Sequence, residues 1–151
     1  MNHKPLTSLE RVLTTLSHKE PDRVPFFLLL TMHGAKELVM SIKDYFSKAE
    51  NVAQGQLQMR EKYGHDCLYA FFYTPIEVEA FGAEVIFSDD GPPNSGTPMI
   101  QDPEKIMHLT PPDVMNSPCL LKVLDAISIM KQKVNDDAPI IGVAVSPFLF
   151  P

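Results

Sequence analysis

Three apolar runs limit what this chain can fold into. Residues 24–30 read VPFFLLL, residues 67–72 read CLYAFF and residues 139–145 read PIIGVAV. Each is hydrophobic at nearly every position, without the alternation of a sheet that is wet on one side. Such runs suit strands buried on both faces. The intervening segments have helical spacing instead. Thr7-x-x-Glu10 is a capping box, followed by Leu9, Val12, Leu13 and Leu16. Leu38, Val39, Ile42 and Tyr45 suggest a second helix, and Ser47-x-x-Glu50 opens a third that stops at Gly64. Ser117-Pro118 opens a long helix with Val123, Ile127, Met130 and Val134 along one stripe. Residues 84–87 suit a small strand, and residues 89–98 a loop. Buried strands separated by helices predict an α/β fold with a parallel sheet covered on both faces.

The joint after the second run carries the most information. Thr74 can cap, Pro75 suits a first helical position, and Glu77 lies three residues past the cap. A strand that feeds a helix with almost no loop is a β/α joint. In such folds ligands bind at the carboxyl ends of the strands. Tyr73 is therefore a candidate cleft residue, with packing under the short helix as the equal alternative. Met32 and His33 follow the first run, and Ser146 follows the third, which makes all three candidates for lining the same pocket. Glu77 suits a cap better than a catalyst. Glu79, Glu84, Asp89 and Asp90 form an acidic neighbourhood that a solvated loop explains. Cys67 and Cys119 make neither a disulfide framework nor metal-ligand spacing.

Charge and hydropathy exclude other classes. Thirteen basic against nineteen acidic residues give a net charge of −6, with no basic cluster, so nucleic acid and anionic membranes are not expected partners. The apolar runs are far shorter than the roughly 20 residues a bilayer span needs. A soluble, cytoplasmic protein is expected. Three strands are fewer than a doubly wound domain uses. Residues 1–151 are thus expected to form the amino-terminal portion of a single barrel. Its third strand should leave an edge open at Val143 and Val145, inviting self-association.

Four landmarks, in order, resemble the uroporphyrinogen decarboxylase superfamily, which includes the methylcobamide:coenzyme M methyltransferases. They are Leu9-Glu10-Arg11-Val12 through Asp22-Arg23-Val24-Pro25; Tyr63-Gly64-His65-Asp66; Glu77-Val78-Glu79-Ala80-Phe81-Gly82; and Pro139-Ile140-Ile141-Gly142 to Ser146-Pro147-Phe148. The resemblance implies a partial TIM (β/α)8 barrel, comprising the first three strands with their helices. It also implies an enzyme that either decarboxylates a tetrapyrrole or moves a methyl group from a corrinoid to a thiol.

Two departures favour the methyltransferase branch. In the decarboxylases a catalytic aspartate lies nine residues before the glycine matching Gly82; here that position is Tyr73. A phenol with a pKa of about 10 is no substitute for an ionised carboxylate. The decarboxylases also carry substrate-binding arginines after strand one, whereas residues 30–36 (LTMHGAK) hold none. The segment Glu77-Val78-Glu79-Ala80 is similar to the methyltransferase branch. For a full-length relative that branch implies zinc and a corrinoid, and a small-molecule or corrinoid-protein substrate. Its zinc ligands belong to the second half of the barrel, so none is assigned in this chain.

Overall fold

A computed structural model of the chain describes residues 5–145. Helix α1 (Ser8–Leu16) begins as its capping box predicts. The Thr7 hydroxyl accepts from the Glu10 amide at 3.1 Å, and the Glu10 carboxylate accepts from the Thr7 amide at 2.8 Å. Residues 24–30, without regular secondary structure, then lead into α2 (His33–Glu37), α3 (Ile42–Ser47) and α4 (Ala49–Tyr63). Strand β1 (Leu68–Tyr69), α5 (Ile76–Ala80) and an antiparallel pair, β2 (Val85–Ile86) with β3 (Asn94–Ser95), follow. Two short 3-10 turns lead to α6 (Pro118–Val134) and β4 (Ile140–Ile141).

The central feature is the parallel pairing of β1 with β4, Leu68 opposite Ile140 and Tyr69 opposite Ile141. The amides of Leu68 and Ala70 donate to the carbonyls of Pro139 and Ile141, both at 3.0 Å. Helices α5 and α6 lie in the connection between the two strands, as a parallel crossover requires. Phe46, Val52, Ala53, Leu68, Phe72, Ala126 and Met130 form the core among α3, α4, β1 and α6.

Several sequence expectations need correction. Residues 24–30 form no strand and are not buried on both faces: Val24 is 83% exposed and Leu29 65%. The run is fastened to its neighbour mainly near its start. The Asp66 amide donates to the Phe26 carbonyl, and the Phe26 amide to the Asp66 carboxylate, each at 2.7 Å. Further along, the Leu30 amide turns back to the carbonyl of Leu28. The second predicted helix is divided, because Val39 adopts φ 54° and ends the turn that follows α2. Ser47 does not cap α4; it closes α3, with its hydroxyl donating to the Asp44 carbonyl. Thr74 does not cap α5, and Glu77 instead accepts the Val145 amide at 3.2 Å. That bond removes Val145 from the predicted open edge. Gly64, at φ 66°, stops α4 as expected. Among the described residues no helix is long and apolar enough to cross a membrane.

Candidate functional site

Residues 24–30 run in the same direction as β1, with Phe26 beside Asp66 and the Leu28 backbone meeting the Cys67 thiol. At the carboxyl end of this run lies an open depression of about 620 Å³. Leu29, Met32 and Ile42 give it an apolar lining, and His33 and Lys36 border it from α2. Asp89 and Asp90 close another side. They reach it because Phe87 packs edge-on against Tyr73, ring centroids 5.5 Å apart, just past the carboxyl end of β1.

Glycine contacts set the position of α2. A Cβ on Gly34 would lie 2.3 Å from the Tyr45 hydroxyl oxygen, and one on Gly55 would lie 2.7 Å from the same ring. Only bare backbone lets α2 and α4 close on that buried phenol. The closure brings His33, at the start of α2, beside Tyr63, at the end of α4. His33 Nε2 lies 3.1 Å from the Tyr63 hydroxyl and 3.3 Å from Glu37 Oε1. The Tyr63 hydroxyl donates to Glu37 at 2.8 Å, and Lys62 reaches both carboxylate oxygens at 2.8 Å. Lys62, then Tyr63, hold the Glu37 carboxyl below its usual range. The sequence offers His33 as a loop histidine without a visible partner; the structure gives it two. The i,i+4 spacing of His33 and Glu37 is the one local signal of this arrangement.

Tyr73 is placed differently. It is 2% exposed, with its ring among Phe46, Phe72 and Phe87 and its hydroxyl donating to Glu79. Burial, and then Glu79, push its pKa well above that of a free phenol. It does not line the depression that holds Met32 and His33, and it packs beneath that region. Ser146 lies outside the described residues.

The opposite end of the run holds the most heavily bonded side chain. The buried Asp66 carboxylate accepts from Arg11 at 2.7 Å, from Arg23 at 2.6 and 2.8 Å, from Ser8 at 3.0 Å and from the Phe26 amide. Arg11 also grips Asp22 through two bonds, at 2.7 and 2.8 Å. The first two sequence landmarks therefore form one ion cluster, at the amino-terminal end of the parallel run, where a role in stability is expected.

The cysteines make no metal centre. Cys67 and Cys119 are buried, and burial pushes both thiols up. Among the described residues no group of three or more His, Cys, Asp or Glu side chains is arranged to hold a metal ion. These residues do not fit a zinc site.

A parallel β/α unit, with a depression at the carboxyl end of the irregular 24–30 run beside it, defines the class: an α/β protein. The sequence matches the uroporphyrinogen decarboxylase (URO-D) family over residues 7–151, and the chain belongs to that family. No curated protein sequence matches it. Its fold is similar to that of a methyltransferase from Methanosarcina mazei, with a TM-score of 0.76 at 24% identity. The similarity covers 91% of this chain and 42% of that one, so the chain spans less than half the length of its structural relative.

Proposed function

We propose that this chain is the amino-terminal part of a corrinoid-dependent methyltransferase that moves a methyl group from a methylcobamide to a thiol. In this reading residues 24–30, β1 and β4 begin the first three strands of a (β/α)8 barrel. The observation that carries it is Tyr73. At the position where the resemblance expects a decarboxylase aspartate, a phenol sits in a dry aromatic cluster with its hydroxyl tied to Glu79. That partner comes from the very segment, Glu77 to Ala80, that resembles the methyltransferase branch. The absence of arginine from residues 30–36 supports the same choice, because a substrate with many carboxylates wants bidentate guanidinium partners.

Met32 and His33 line the substrate side in this reading, Tyr73 shapes it from behind, and Ser146 is assigned to the same pocket. In the whole protein a corrinoid would supply the methyl group and zinc would activate the thiol; no described residue is assigned to either. The working compartment is the cytoplasm, and the partner is a small molecule or a corrinoid protein. A uroporphyrinogen decarboxylase-like activity is the alternative. The exposed apolar residues of the 24–30 run favour one further reading, a non-catalytic chain that works only with a partner supplying more strands.

The test is methyl transfer from methylcobalamin to a small thiol by a protein carrying the complete barrel. The expected result is loss of the methylcobalamin absorption together with a thioether detected by mass spectrometry. Release of carbon dioxide from uroporphyrinogen, with no methyl transfer, would overturn the assignment.

A further inference from the structure

Counting protons around Glu37 fixes the tautomer of His33. Glu37, with a side chain only 11% exposed, accepts from Lys62 at both oxygens, so it is ionised and can only accept. The Tyr63 hydroxyl has one proton, and spends it on Glu37. Toward His33, then, the Tyr63 oxygen is an acceptor, and Glu37 Oε1 is a second. The ring nitrogen that faces two acceptors must carry the hydrogen, and that nitrogen is Nε2. In the neutral ring Nδ1 is left with its lone pair. Among the described residues nothing hydrogen-bonds to Nδ1, and the His33 side chain, 36% exposed, lines the depression.

We propose that His33 is the proton acceptor of this depression, that Glu37, Tyr63 and Lys62 are its positioning residues, and that the ligand it serves is a small thiol. The identity of the ligand rests on the methyl-transfer reading; the orientation of the ring does not. In the step assigned here the S–H bond breaks, its electron pair stays on sulfur, and the proton passes to Nδ1. The products are a thiolate and an imidazolium. With a free thiol near pKa 8.5 and a free imidazole near 6.5, this transfer is disfavoured about a hundredfold in water. Glu37, against the far nitrogen, offsets the new positive charge. Asp89 and Asp90 across the depression act in the same direction, whereas Lys36 on α2 and Lys62 on α4 oppose it. The lining by Leu29, Met32 and Ile42 suits the small apolar body of such a ligand.

The experiment is nitrogen NMR on the chain with ¹⁵N-labelled imidazoles, the His33 signals being those lost in His33→Gln. Above neutral pH the expected state has Nε2 protonated and Nδ1 bare, and Tyr63→Phe should weaken that preference. Adding 2-mercaptoethanol should move Nδ1, while its methyl thioether, which has no S–H, should not. A ring protonated at Nδ1, or equal responses to thiol and thioether, would overturn the proposal. In the complete protein the same variants separate the two assignments. An Nδ1 that responds to thiol without any methyl transfer upholds His33 and removes the methyltransferase reading. Thiol methylation whose pH profile is unmoved by Glu37→Gln and His33→Gln does the reverse.

Discussion

Arg11 and Asp66 meet at 2.7 Å across 55 residues of chain, and neither side chain is open to water. Asp66 is the hub that ties α1, the Asp22–Arg23 turn and the start of the 24–30 run to the entrance of β1. Removing one member of a buried pair leaves the other charged and uncompensated, which costs about 3–5 kcal/mol. Asp66→Asn should therefore destabilise the fold by about that amount, and Asp66→Ala by no less. Urea denaturation measures both. A loss below about 1 kcal/mol for Asp66→Asn would mean that the cluster is electrostatically slack.

The same cluster sets the response to acid. Arg11 lowers the Asp22 carboxyl to about 2. Burial alone would raise Asp66, but Arg23, the Phe26 amide, Ser8 and Arg11 outweigh it and hold it below the usual range. Carboxylates with depressed folded values stabilise fully above the unfolded value of about 4, and that stability is lost as pH falls toward about 2. His65 titrates in a separate window. Burial, then Arg60, lower its pKa, so the unfolded chain takes up a proton first as pH drops below about 6.5. Stability should fall in two stages, one below about pH 6.5 and one below about pH 4. Asp66→Asn should flatten the second and enlarge the first, because the Asp66 charge partly offsets the lowering of His65, as read from denaturation midpoints at each pH.

Gly34→Ala places a methyl group 2.3 Å from the Tyr45 hydroxyl, and Tyr45 is fully buried. Something must move, and overpacking of this kind costs about 1–3 kcal/mol. The main clash is with the hydroxyl, so Tyr45→Phe should recover part of the loss in Gly34→Ala while costing little elsewhere. Its hydrogen bond to the Val52 carbonyl is long, at 3.4 Å. A double-mutant cycle with no coupling would show that α2 moves away as a body instead.

The order of the main helices and of the two paired parallel strands was legible because apolar runs and helical stripes have different periods. Strand length was not. Residues 24–30 are apolar enough to be a buried strand, yet apolarity says only that a segment wants cover, not which partner supplies it, and here Val24 and Leu29 lie open. Local caps were read unevenly for the same reason. Thr7 has its helix to itself and caps it, whereas Ser47 is taken by the preceding helix and Glu77 by Val145. The site was half visible. His33 could be placed at the end of the run, but Tyr63 and Lys62 reach it only through the contacts of Gly34 and Gly55 on Tyr45. No periodicity encodes that close approach. Asp66, which reads as a turn residue before β1, owes its role to charges 43 and 55 residues away.

Tyr73 tests the boundary between packing and chemistry. Its ring fills space among Phe46, Phe72 and Phe87, so Tyr73→Ala should cost about 3–5 kcal/mol. Tyr73→Phe keeps the ring and loses only the bond to Glu79, at a cost of about 1 kcal/mol. Tyr73→Asp would put a carboxylate into the same cluster and should unfold the chain rather than create decarboxylase activity. Thermal melts rank the three variants. In a complete barrel, a thousandfold rate loss for Tyr73→Phe with unchanged stability would make the hydroxyl catalytic.

Self-association should follow from the uncovered run. Val24, Phe26, Phe27 and Leu29 are all exposed within six residues, and this stretch forms no strand ladder with β1. An exposed apolar segment with unpaired backbone groups is a template for another chain. At micromolar concentration the chain should sediment above its monomer mass of 16.9 kDa. Lysine at positions 24 and 29 should restore the monomer, because a charge at the open face blocks pairing while both sites tolerate solvent. Replacing Val143, which faces solvent beside β4, should have a smaller effect, since the neighbouring Val145 amide is already held by Glu77. A monomeric wild-type boundary with a sharp cooperative melt would show that the run needs no cover. Association that Val143→Lys abolishes, and the paired lysines do not, would place the contact at β4 instead.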